Sequence, residues 1–375
     1  LPALVEATDE GNVVGRMTVG SSQLRGTWSG LLQTFTAMRI EITDLRAAEI
    51  DGRNEHELIR VGGFSVRREI TEGGNGRWNG TYEVALRDTT LTPGEAGAVQ
   101  LGNLTFGGTL AEADLAAIAA LNEGFGIDPL FGGTGQLEPD DLAAYLGAIT
   151  TLPWGRYTAT IGIAGLATRD GQEDYALAKA NGRLTVDAVG ELTEAGVQFD
   201  VAGLAGTPLA DLPRELRPTG LALDAVLTRM PLKALVGGLA AQTYDEMAAR
   251  DATERDLVTE LLAKHDTAVE VRSFTFQSDV LQVSATGRIA LSATQPGDAT
   301  ATFDVTVRGL GRAIEIVRAN QRTIPDGAES VRRLIVLQGL GRAEAVQGEV
   351  VHAYRVTAGA DGRVLVNGTN IDELR

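Results

Sequence analysis

The chain has 375 residues, with 33 Lys and Arg against 50 Asp and Glu, no cysteine and 46 glycines. The lack of cysteine removes disulfides, thiolate nucleophiles, Cys-ligated zinc and iron–sulfur ligation, and a net charge of −17 opposes binding to nucleic acid or directly to an anionic membrane surface. At 43% hydrophobic and 22% charged, the chain is too apolar for disorder and long enough to bury a large core.

No stretch reaches the roughly 20 uninterrupted apolar residues that cross a bilayer as a helix. The mostly apolar window from Leu221 to Ala241 contains Asp224, Arg229, Pro231 and Lys233, and reads as a strand followed by a helix. The sequence begins at Leu1 rather than at methionine, so a removed N-terminal signal or anchor is an expectation.

Strict alternation is the dominant local signal. Met38, Ile40 and Ile42 alternate with Arg39, Glu41 and Thr43, and the pattern resumes from Leu58 to Val66 after Asp51-Gly52-Arg53-Asn54. Tyr82, Val84 and Leu86 lead through Pro93-Gly94 to a run from Val99 to Phe106. Tyr157, Ala159, Ile161 and Ile163 lead through Asp170-Gly171 to a run from Tyr175 to Val186. Each unit reads as strand, polar turn, strand, with a glycine (Gly63, Gly102, Gly182) early in the return strand. Further alternating runs are Val197-Phe199-Val201, Leu221-Leu223-Ala225-Leu227, Leu281-Val283-Ala285, Ile289-Leu291-Ala293, Phe303-Val305-Val307 and Val364-Val366. Period two buries one face of each strand, which is the mark of antiparallel sheets.

Helices are expected between these runs. Thr109-Leu-Ala-Glu112 is a capping box ahead of Leu115, Ile118 and Ala119, and Pro139-Asp140-Asp141 precedes Leu142, Tyr145, Leu146 and Ile149 at helical spacing. A helical insertion is expected at about 231–265, with Thr243 and Thr253 as possible starts. Gly309-Leu-Gly-Arg-Ala313 recurs as Gly339-Leu-Gly-Arg-Ala343; both read as turns between strand and helix, the first opening a helix that carries Ala313, Ile314 and Val317 on one face. A phosphate cradle would need a fuller glycine pattern and usually a lysine.

The fold class expected is α+β and β-rich: a long curved antiparallel sheet built of hairpins and packed against several amphipathic helices. Residues 1–152 would form a hairpin-rich part with two helices, and 153–375 a second antiparallel part carrying the insertion. One continuous sheet through both is an equal alternative.

Catalytic chemistry finds little support. His56-Glu57 begins like a zinc-protease motif, but Arg60 stands where the second histidine belongs. His265 reads as a helix C-terminal cap and His352 as a strand surface residue. Gly26-Thr-Trp-Ser29-Gly30 lacks the spacing of a nucleophile elbow, Trp28 reads as a packing residue, and Asp140-Asp141 fits a helix start. No catalytic residue, metal ligand or cofactor is assigned. The least ordinary segment is Gly124-Phe-Gly-Ile-Asp-Pro-Leu-Phe-Gly-Gly-Thr-Gly135, where Phe125, Leu130 and Phe131 would form either a lid over an apolar ligand or an interhelix connection.

Four phrases together resemble bacterial envelope proteins of the AsmA-like group, including its YdgA-like family: Leu216–Asp224 leading to Met230–Leu235, Thr267–Phe274 leading to Thr286–Ile289, Ala301–Leu310, and Asp361–Gly368. The resemblance covers about 216–375, and the first half only in its hairpin style. It implies a periplasmic location, behind an N-terminal anchor, and a curved sheet offering an apolar concave face to acyl chains; no catalytic residues carry over. The expected role is therefore a non-enzymatic envelope protein that binds or shuttles a lipid or other apolar ligand. The alternatives are a ligand-free structural subunit with an envelope protein partner and, more distantly, a carboxylate-based hydrolase.

Overall fold

The computed structural model describes residues 4–9, 12–30, 34–92, 97–114, 155–169, 174–235, 261–291 and 299–371. Seventeen strands form one sheet: β1 (Leu4–Asp9), β2 (Asn12–Ser29), β3 (Thr34–Asp51), β4 (Asn54–Glu72), β5 (Trp78–Leu91), β6 (Ala98–Ala113), β7 (Arg156–Arg169), β8 (Asp174–Asp187), β9 (Thr193–Gly206), β10 (Gly220–Met230), β11 (Ala268–Gln277), β12 (Gln282–Leu291), β13 (Ala299–Arg308), β14 (Arg342–Val346), β15 (Glu349–Ala358), β16 (Val364–Val366) and β17 (Thr369–Asn370). Among the described residues two helices, α1 (Leu310–Ala319) and α2 (Gly327–Leu340), follow β13.

Every pairing is antiparallel, and from β1 to β13 each strand pairs with its sequence neighbours. Beyond β13 the next neighbour is β15, whose other edge is shared by β14 and β16; the sheet stays open. Tight turns set the register. Asp51 pairs with Asn54 across Gly52, which takes φ 61°. Val346 pairs with Glu349 across Gln347-Gly348, and Val366 with Thr369 across Asn367-Gly368, with positive φ at both central residues as the strand twist of such hairpins favours.

A line of interrupted pairing crosses β2–β9. Gly20 stands opposite Asp44, Asp44 opposite Gly62, Gly62 opposite Asp88, and so on through Gly102, Gly165, Ala178 and Gly203, while the register on either side is unchanged. Alternate strands hold the left-handed residue: Asp44, Asp88, Gly165 and Gly203 have φ of 51°, 50°, 66° and 66°. Their neighbours must be small, because a Cβ on Gly62 would lie 2.9 Å from Asp88 Cβ. Across this line apolar positions are spaced by three rather than two, as in Ile42 to Leu45, Leu101 to Leu104 and Ile163 to Leu166.

The expectation of several packed amphipathic helices is corrected. Among the described residues the sheet packs against a single helical pair at its C-terminal end. Thr109–Glu112, read as a helix start, belongs to β6, because Thr109 and Leu110 are held in register by β5 on one edge and β7 on the other. Residues 232–235 and 261–264 are helical turns flanking the expected insertion; Thr243, Thr253 and the segment expected to follow Pro139 lie outside the described residues. The first Gly-Leu-Gly-Arg phrase does open α1, whose Leu310, Ala313, Ile314, Ile316 and Val317 are buried, and the second closes α2 into β14. Val307, Leu310, Ile314 and Tyr354 form the core beneath the pair, joined by Leu334, Leu337 and Leu340 of α2.

Candidate functional site

Register and period two together divide the sheet into two chemically different faces. On one face, apolar side chains stand opposite one another strand after strand. Leu24 pairs with Ile40, Ile40 with Val66, Val66 with Val84, Val84 with Phe106 and Phe106 with Ile161. Ile161 then meets Gly182, Gly182 meets Phe199, and the row continues through Leu223, Phe274, Ala285 and Val305 to Tyr354. A parallel row two residues away holds Ile42, Phe64, Leu86, Leu104 and Ile163.

Among the described residues this face is covered at one end and open at the other. Near β12–β15, α1 and α2 pack on Val283, Val305, Val307 and Tyr354. Toward the N-terminus Leu24 is 64% exposed, Phe106 45% and Ile161 46%. At its exposed end the polar side chains Tyr82, Tyr157 and Arg68 are engaged within the protein. Tyr82 lies across Gly108, where a Cβ would come within 2.9 Å of its ring, and its hydroxyl meets that of Tyr157 at 2.8 Å. Burial and that hydrogen bond raise the Tyr82 pKa above the usual phenol range. Arg68, partly desolvated, donates to Thr34 Oγ1 at 3.2 Å.

The opposite face is polar or small at the same levels. Asn181 donates to both carboxylate oxygens of Asp200, at 3.0 and 2.8 Å, and Gln198 donates to Asp224 at 3.0 Å. Arg39 Nε donates to Glu41 at 2.9 Å; that hydrogen bond, with the charges of Arg39, Arg67 and Arg87, holds the Glu41 carboxyl below its ordinary range. A cavity of about 810 Å³ lies on this face across β2–β7.

Of the residues singled out in the sequence, Phe125, Leu130 and Phe131 lie outside the described residues, as do Asp140 and Asp141. His56 is exposed on β4 opposite Glu49. His265 follows a helical turn, and its backbone carbonyl accepts a hydrogen bond from Arg229 Nε at 2.9 Å. His352 is not a surface residue: it is 6% exposed, because it stands between Val307 and Ala343 in the middle of the β13–β15–β14 ladder, and its Nδ1 has no hydrogen-bond partner. Trp28 packs edge-on against Phe35 at 5.2 Å while remaining largely exposed. The three histidines lie on β4, after β10 and on β15, and no group of three metal-ligating side chains forms among the described residues.

Alternation marked the strands of the apolar face, but the continuity of its row depends on twelve registers and could not be read from any one run. No protein-family model matches the chain, and no curated protein is significantly similar to it.

Proposed function

We propose that this is a non-enzymatic protein of the bacterial periplasm or envelope that holds acyl chains, or another extended apolar ligand, along the apolar face of its sheet. The observation that carries the reading is the unbroken cross-strand row from Leu24 to Tyr354, left exposed over its N-terminal part. Neighbouring strands lie about 4.8 Å apart, so a chain of sixteen carbons, about 20 Å long, would cross four or five strands. An acyl chain needs no hydrogen-bonding groups, whereas a protein partner is usually met by about one hydrogen bond per 100–200 Å². The row itself carries one hydroxyl, that of Tyr354, which donates to the Leu337 carbonyl, and beside the row Tyr82 is engaged with Tyr157.

Native mass spectrometry of the protein purified from its source, followed by lipid extraction, tests the reading directly. Co-purifying lipid is the expected result. Delipidated protein should also take up a fluorescent fatty acid, and Phe106→Glu or Ile161→Glu should weaken uptake at least tenfold while leaving the circular dichroism spectrum unchanged. Protein that carries no lipid and takes up no probe would refute it.

A second reading, a structural subunit without ligand, is favoured by one feature. β1 covers β2 only from Asn12 to Thr18, so among the described residues the remainder of β2 has no strand on its outer side. Such an edge is a template for strand addition by another chain. A co-purifying protein in place of lipid would support it.

A further inference from the structure

We propose that the polar face carries a binding site for a phosphate-bearing ligand, centred on Arg25, Arg39 and Arg67 in the cavity that crosses β2–β7. The site is independent of the apolar face. Arg25 stands directly opposite Arg39, and Arg39 directly opposite Arg67, on three adjacent strands. Like charges placed opposite one another disfavour the sheet, and with strands about 4.8 Å apart the three Cα atoms span only about 10 Å. A chain with net charge −17 has ample carboxylate to neutralise such a row. It does so only in part.

Arg39 is held by Glu41 on its own strand, whereas among the described residues Arg25 and Arg67 form no ion pair. Glu83 stands directly opposite Arg67 and Glu69 lines the cavity on the same strand as Arg67, so the β4–β5 side is mixed in charge and Arg25 and Arg39 form the cationic end. The far wall, on β7, contributes the hydroxyl of Thr158, whereas that of Thr160 donates to the Gly107 carbonyl at 3.2 Å. Forked guanidinium donors on adjacent strands match the geometry of a phosphate dianion better than that of a neutral polar ligand. The volume of about 810 Å³ has room for a phosphate ester with an attached organic group.

The test is calorimetric titration of the full chain with inorganic phosphate and with glycerol phosphate, at low ionic strength and again in added salt. Saturable binding that weakens with salt is expected, falling at least tenfold in Arg67→Gln and in Arg25→Gln. Arg67→Lys, which keeps the charge but loses the fork, should fall between wild type and Arg67→Gln. Lys179→Gln, on the same face in β8, should bind as wild type does. Thermal melting confirms that each variant is folded; removing one of three facing charges should not lower the melting temperature.

Vesicles of phosphatidylcholine with phosphatidylglycerol separate the two sources of phosphate. The overall negative charge predicts no vesicle binding, pointing to a soluble ester. Vesicle binding abolished by Arg67→Gln would instead assign the same site to a lipid head group. Absence of saturable phosphate binding by the wild-type chain, or equal binding by wild type and Arg67→Gln, overturns the proposal.

Discussion

The interrupted line across β2–β9 makes a quantitative prediction at Gly203. This residue has φ 66°, and a Cβ built on it would lie 2.5 Å from Ala178 Cβ. Gly203→Ala therefore meets two penalties: about 1–2 kcal/mol for a side chain in the left-handed region and about 1–3 kcal/mol for overpacking against Ala178, together about 2–5 kcal/mol. Ala178→Gly alone should cost about 0.5–1 kcal/mol through chain entropy. In the double variant the overlap disappears and an alanine with positive φ faces a glycine, much as Asp44 faces Gly62 and Asp88 faces Gly102. The double variant should then be about 1–3 kcal/mol more stable than the sum of the single changes. Urea unfolding followed by circular dichroism measures the cycle. Gly165 provides the internal control: a Cβ there meets only Gly102 atoms, at 3.5 Å, so Gly165→Asp should cost about 1 kcal/mol or less. A coupling below about 0.5 kcal/mol between positions 178 and 203 would show that facing Cβ atoms are not what selects glycine along the line.

Two further changes test the cores on either side of this line. Thr89 is buried and its Oγ1 has no hydrogen-bond partner, while its register neighbours are Val61 and Leu101. Thr89→Val should therefore raise stability by about 1 kcal/mol in the same urea experiment, and a loss of stability would reveal a partner for the hydroxyl. Tyr354 is 4% exposed, donates to the Leu337 carbonyl at 3.0 Å, and is pushed by burial from 10.0 up to about 12. The folded chain thus holds this proton more tightly than the unfolded chain, so its contribution is complete below pH 10 and is lost as pH rises toward 12. Tyr354→Phe should lose about 1 kcal/mol at neutral pH and show a shallower decline above pH 10; equal slopes in both proteins would contradict the assignment.

The sequence made the strands legible and the helices less so, for a physical reason. Alternation such as Tyr82-Val84-Leu86 reports burial of one face, and the sheet needs little else to define a strand. The Thr109–Glu112 phrase satisfies the local rule for a helix start, yet lies in β6 because pairing on both edges outweighs a preference worth about 1 kcal/mol. Glycines were legible as a class and misplaced in detail. Gly102 lies on the interrupted line, Gly63 is one residue from Gly62, and Gly182 sits in regular pairing, where a Cβ would meet Ile161 Cγ2 at 2.8 Å. What would have located the line is the change from spacing two to spacing three, repeated at Ile42–Leu45, Val61–Phe64, Leu101–Leu104 and Ile163–Leu166. The arginine row was invisible for a related reason: Arg25, Arg39 and Arg67 are fourteen and twenty-eight residues apart, and only two hairpin registers make them neighbours.

Both candidate ligand surfaces follow from this neighbour-to-neighbour construction. Among the described residues no strand from β1 to β12 pairs with any but its sequence neighbours, so the long dimension of the sheet is built by repeating one local operation. Each hairpin register sets like faces opposite one another in strand after strand, and the interrupted line shifts the alternation by one residue in every strand it crosses, so the apolar row and the polar trough lengthen together. A one-residue slip at any hairpin would exchange the faces for every later strand, placing Phe106 or Ile161 among Arg39 and Glu83. The tight Gly52, Gln347-Gly348 and Asn367-Gly368 turns therefore fix more than local geometry. They keep the surface suited to apolar chains and the surface suited to anions on opposite sides, so a ligand on one need not compete with a ligand on the other.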